Sequence, residues 1–152
     1  MLYHVLVSLK ENFSIFNLFE YITFRAATAS ILALIISFII GPWVIHILHK
    51  NQLGEEIRHT GPESHMKKKG TPTMGGVIIL TAVLLPTLLL SDLNSSLIKI
   101  IIFSTVWMGL IGFLDDYLKI VKKIKSGLIA RYKLAGQVSL GFIISLWIFQ
   151  IP

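Results

Sequence analysis

The sequence predicts an all-α, polytopic membrane protein with about four transmembrane helices and an N-terminal interfacial helix. Three observations carry this expectation. Of 152 residues, 54% are hydrophobic and only 14% charged, with a mean hydropathy of +0.75; a soluble domain carries roughly a quarter charged residues. Four stretches reach the roughly 17–25 apolar residues that a helix needs to cross the hydrocarbon core. The basic residues, finally, gather in alternate connections between those stretches. Cysteine is absent, which excludes disulfides, thiolate metal sites and cysteine nucleophiles.

In residues 1–24, Leu2, Leu6, Leu9, Phe13 and Phe16 recur at helical spacing, with Lys10, Glu11, Asn12 and Asn17 off that stripe. The pattern predicts an amphipathic arm lying in the membrane interface. It lacks the basic start and unbroken apolar run of a signal peptide. Spans are expected at residues 26–48, 73–90, 97–114 and 134–150, within a single membrane domain. The second contains Pro86, tolerable because neighbouring helices take up freed backbone groups. The third carries Lys99 near an end, from which its ammonium can snorkel to water.

Charge sets the orientation. Eleven of the 14 Lys and Arg residues lie in connections 49–72 and 115–133, whereas connection 91–96 has none. The positive-inside rule makes the two basic loops cytoplasmic and turns the 91–96 loop and the N-terminus outward. The formal net charge of +6 is therefore an orientation and anionic-lipid signal. No fingerprint of a nucleic-acid fold accompanies it.

Two strings at the cytoplasmic side can carry chemistry. The first is Asp115-Asp116, at the inner end of the third span. Adjacent carboxylates near a helix C-terminus repel each other and oppose the macrodipole, so removing either charge should relieve local strain. A cation must offset them, either a divalent metal or lysine. Lys119 lies four residues after Asp115 and three after Asp116, near both on a continuous helix. Successive helical positions point about 100° apart, so the two aspartates cannot do identical work. A solvated helix end with an ordinary acid–lysine pair would look the same from these residues alone. The second string is Gly61-Pro62-Glu63-Ser64-His65-Met66-Lys67-Lys68-Lys69-Gly70-Thr71-Pro72-Thr73-Met74-Gly75-Gly76. Its Gly and Pro content marks a loop leading into a span. A helix starting near Thr71 or Thr73 would be capped by a threonine and suit a phosphate. Read bare, the same string is a turn carrying positive-inside lysines. His46 and His49, three apart, could share a helix face as metal ligands, but such residues are more often interfacial.

Taken together, these strings resemble motifs of the polyprenyl-phosphate N-acetylhexosamine-1-phosphate transferases. The resemblance rests on residues 61–76 and on Gly112-Phe113-Leu114-Asp115-Asp116-Tyr117-Leu118-Lys119. Within that superfamily, Gly-Thr-Pro-Thr-Met-Gly-Gly after a His-x-x-Lys arrangement is similar to the phospho-N-acetylmuramoyl-pentapeptide transferases. Gly127-Leu128-Ile129-Ala130-Arg131-Tyr132-Lys133 resembles their segment before the fourth helix. The resemblance implies transfer of phospho-N-acetylmuramoyl-pentapeptide from its UDP derivative to undecaprenyl phosphate, with Mg2+, at the cytoplasmic face of the bacterial inner membrane. It implies that Asp115 and Asp116 lie beside the metal and the lipid phosphate. Lys68, Thr73, Lys119 and, more weakly, Lys133 would contact phosphates or nucleotide. Partners would be the two substrates and membrane lipid, with a homo-oligomer also allowed. The family fold has about ten spanning helices, with a further metal-binding aspartate and a histidine-rich loop in its later half. No Asp follows Asp116 and no His follows His65, so this chain is expected to be an N-terminal part, inactive alone. A sister enzyme transferring GlcNAc-1-phosphate, and a non-catalytic membrane fragment, are the competing expectations.

Overall fold

The computed structural model describes residues 2–9, 14–50, 74–122, 124 and 126–151. Its elements are α1 (Leu2–Ser8), a 3-10 helix η1 (Ser14–Glu20), α2 (Ile22–Lys50), α3 (Gly76–Leu90), α4 (Ser96–Ile120) and α5 (Ala130–Phe149). The described residues are predominantly helical, joined by turns, and contain no strand. Helices adjacent in sequence pack side by side: α2 on α3, α3 on α4, and α4 on α5.

Among the described residues, three helices are long and apolar enough to cross a membrane: Ile22–Leu48, Ser96–Ile120 and Ala130–Phe149. The expected second span is shorter in structure, because α3 has 15 residues. It starts at Gly76, and Met74 before it adopts a left-handed backbone with φ of 72°. That conformation cannot continue a right-handed helix and costs on the order of 1–3 kcal/mol in a non-glycine residue. The expected threonine cap is not what begins the helix. Gly75 occupies the N-cap position without a side-chain hydrogen bond, and Thr73 lies outside the described residues.

The charged ends of the spans also differ from expectation. α2 begins ahead of Arg25, whose guanidinium lies 4.2 Å from the centroid of the Tyr3 ring. That ring face accommodates a cation beside an apolar helix. α4 runs on through Asp115 and Asp116 to Ile120, and α5 begins early enough to include Arg131 and Lys133. The N-terminal arm is two short helices, with residues 10–13 outside the description. α1 rests on η1 and on α3.

Few of the described residues are buried. Leu48, Ala82, Leu90, Ile100 and Leu140 are the buried aliphatic side chains on the long helices, and Pro86 is fully enclosed. Most other large apolar side chains face outward, among them Phe38, Phe142 and Phe149. Such helices are apolar all round, the pattern of a membrane span. Their hydroxyls are satisfied locally: Thr81 Oγ1 donates to the Val77 carbonyl at 2.8 Å and Ser104 Oγ to that of Ile100 at 2.6 Å. Bonding back to the preceding turn hides the polar group from lipid.

Small residues let the helices approach. A Cβ on Gly109 would stand 2.6 Å from Leu80 Cδ1, and one on Gly136 would stand 2.7 Å from Ile111 Cδ1. Close backbone approach at small residues is how spans pack without a hydrophobic driving force between them. Across α4 and α5, Trp107 Nε1–H donates to the Gly136 carbonyl at 3.0 Å, and Phe103 sits 5.8 Å from Trp147, edge to face.

Candidate active site

The short turn joining α3 to α4 folds the two helices into a hairpin, so the start of α3 faces the end of α4. In the turn the Asn94 N–H donates to Asp92 Oδ1 at 3.0 Å. Two strings far apart in sequence therefore meet at one end of the structure. A cleft of about 190 Å³ is lined by Met74, Gly76, Val77 and Leu80 from the first, and by Gly112, Phe113, Asp115 and Asp116 from the second. Gly76 and Gly112 stand on opposite walls, and a Cβ on either would meet nothing within 4 Å.

The two aspartates have different surroundings. Asp115 is only 14% exposed and fully engaged. Its Oδ2 lies 3.0 Å from Lys119 Nζ, its Oδ1 lies 2.9 Å from Lys133 Nζ, and the Leu128 N–H donates to the same Oδ1 at 2.8 Å. This is no solvated helix end. One carboxylate joins α4, the following turn and the first turns of α5. Asp116 lines the cleft and, among the described residues, makes no hydrogen bond or ion pair.

Of the six residues expected to form the site, four are described and gathered here: Asp115, Asp116, Lys119 and Lys133. Lys68 and Thr73 lie outside the described residues. Lys119, near both aspartates by spacing, pairs with Asp115. Lys133 comes from the next helix, and only folding brings it to Asp115. The Leu128 amide was not foreseen, because a backbone donor leaves no mark in residue type. A glycine beside it, just past a helix, was the available signal.

The described residues contain no cluster of three or more His, Asp or Glu side chains able to hold an ion. Asp116 does offer one open carboxylate beside the cleft. Mg2+ commonly takes only one or two protein carboxylates, completing its shell with phosphate oxygens and water. The residues fit that role in part, through Asp116.

Residues 68–80 match the family model described as phospho-N-acetylmuramoyl-pentapeptide-transferase signature 1. The chain is 48% identical over all 152 residues to a protein of that name from Pelobacter propionicus, covering 42% of that protein. It is 52% identical over 138 residues to a namesake from Desulfatibacillum aliphaticivorans, 91% of this chain and 38% of that one. With the Porphyromonas gingivalis protein it shares 50% identity over 136 residues, 90% of this chain and 32% of that one. The chain thus spans about a third to two-fifths of the length of these curated relatives, and it corresponds to their N-terminal part. The resemblance read from the two strings is borne out, and the all-helical, multi-pass membrane architecture agrees with it.

Proposed function

We propose that this chain, similar throughout to the N-terminal part of phospho-N-acetylmuramoyl-pentapeptide transferases, supplies one wall of such an enzyme's active site. The reaction passes phospho-N-acetylmuramoyl-pentapeptide from its UDP derivative to undecaprenyl phosphate at the cytoplasmic face. An oxygen of the lipid phosphate bonds to the β-phosphorus, the bond from that phosphorus to the bridging oxygen breaks, and UMP leaves. Lipid I, a membrane-anchored pyrophosphate, is the other product. The observation that supports this reading is the convergence of the signature segment with Asp115 and Asp116 in one cleft.

Phosphoryl transfer depends chiefly on positioning and on neutralising charge. Asp116, the open carboxylate, would face the lipid phosphate, holding it or its remaining proton, and would be the residue to share Mg2+. When bound, Mg2+ supplies positive charge to phosphate oxygens. Asp115 holds Lys119 and Lys133 in place, and their partly exposed ammonium ends would meet phosphate. Lys68 and Thr73, which precede α3 in sequence, would complete the contacts to phosphate or nucleotide.

The test uses a full-length protein carrying this segment, reconstituted with undecaprenyl phosphate and Mg2+. With UDP-N-acetylmuramoyl-pentapeptide it should release UMP and form the lipid-linked product; with UDP-GlcNAc it should not. Turnover of UDP-GlcNAc alone would replace this reading by the sister activity. The 152-residue chain by itself, which matches only about two-fifths of the Pelobacter propionicus relative's length, is expected to release no UMP.

A further inference from the structure

We infer that Gly127 is a positioning residue for the Asp115 carboxylate, acting through the turn between α4 and α5. The inference rests on the transferase reading for its functional consequence, but its geometry stands by itself. Beyond α4 the chain doubles back in short steps. The Ile124 N–H donates to the Leu118 carbonyl at 3.0 Å, and the Gly127 N–H donates to the Ile124 carbonyl at 2.9 Å. Gly127 is buried and adopts φ of +61°, the left-handed region that glycine enters without steric cost. The next peptide group thereby presents the Leu128 N–H to Asp115 Oδ1 at 2.8 Å.

Space makes a second, separate demand. A Cβ on Gly127 would overlap Asp115 Oδ1 and would stand 2.6 Å from Lys119 Cε and 3.0 Å from Lys119 Cγ. The glycine therefore lies flat against both members of the Asp115–Lys119 pair. Asp115 Oδ1 also receives Lys133 at 2.9 Å from the beginning of α5. With both oxygens occupied from three directions, the carboxylate cannot rotate, and it fixes two ammonium groups beside the cleft. Any side chain at 127 would push the carboxylate, or the turn, out of this arrangement. An asparagine would tolerate the backbone angle yet still bring the Cβ.

Two measurements test this. In the full 152-residue chain, 15N-leucine labelled and held in lipid nanodiscs, the Leu128 amide should resonate downfield and exchange slowly, as expected of a donor to a carboxylate. Gly127→Ala, Gly127→Asn and Asp115→Asn should each move that resonance upfield and speed its exchange at least about tenfold, while the Leu140 amide in α5 stays unchanged. A Leu128 amide indifferent to Asp115→Asn would overturn the inference whatever the enzyme does. In a full-length protein carrying this segment, Gly127→Ala should lower turnover on the order of 10²-fold, the scale of an ångström-level misplacement. The double variant Gly127→Ala/Asp115→Asn should be no slower than Asp115→Asn alone, because both act on one group. Losses that multiply would show that Gly127 acts elsewhere, and would also overturn it. Should the unsubstituted protein show no transferase activity, the functional reading fails while the amide measurement still decides the positioning role.

Discussion

Replacing Asp115 by Asn removes one negative charge from a point reached by two ammonium groups and one amide. Both lysine ends are partly exposed, 36% for Lys119 and 37% for Lys133, so solvent screens them and each contact contributes about 0.5–1 kcal/mol. The Leu128 N–H bond is better shielded. Its acceptor changes from charged to neutral, at a cost of about 1 kcal/mol. Asp115→Asn should therefore destabilise the chain by roughly 2–3 kcal/mol. Asp116→Asn removes a charge with no described partner, and its stability should remain within about 0.5 kcal/mol. Turnover responds differently. In a full-length protein carrying this segment, Asp116→Asn should lose about 10²–10⁴-fold, the scale of a lost acid–base or charge-stabilising group. Thermal unfolding in detergent, set beside UMP release, separates the two effects. Equal destabilisation by both substitutions would refute the engaged-and-open distinction. Near-normal turnover of Asp116→Asn would remove that residue from the chemistry.

The chain has no cysteine, so single cysteines placed at Lys68, Lys122 and Asp92 can report topology cleanly. In intact cells an impermeant thiol reagent should label only position 92; labelling of the two lysine loops from outside would invert the orientation. Trp107→Phe keeps the ring but deletes the donor to the Gly136 carbonyl, and should lower stability by about 0.5–1.5 kcal/mol in detergent unfolding. Gly109→Val should force α3 from α4 at Leu80 and cost about 1–3 kcal/mol, with Leu80→Ala restoring part of the loss. No restoration would mean that the two helices do not meet there.

Hydropathy made the long helices legible, because an apolar run of span length has few alternatives. Their ends were not legible. Arg25, Asp115 and Lys133 read as boundaries because each is charged, yet all three lie inside helices. The charge of Asp115 is compensated by Lys133, and Arg25 rests on Tyr3. Such partners become visible only after folding. The strain argument for the aspartate pair likewise reversed sign at Asp115, since its repulsive position is outweighed by three donors. The first string was legible as a motif, while the left-handed Met74 that stops α3 from starting earlier was not, because methionine has no preference for that conformation.

The brevity of α3 has a consequence for where lipid and water meet. Its 15 residues make a rod about 22 Å long, whereas the hydrocarbon layer is about 30 Å thick. If the 91–95 turn lies at the outer surface, as the basic loops predict, Gly76 would end at least about 8 Å short of the inner boundary, and any tilt would deepen the shortfall. Its neighbour α4 is 25 residues long and reaches past that level. On that orientation the cleft mouth would form a dent in the membrane's inner surface, sunk below the neighbouring headgroups. A phosphate on a long isoprenoid chain could enter it sideways with its tail still in oil, while a water-soluble nucleotide would descend into the same dent from above.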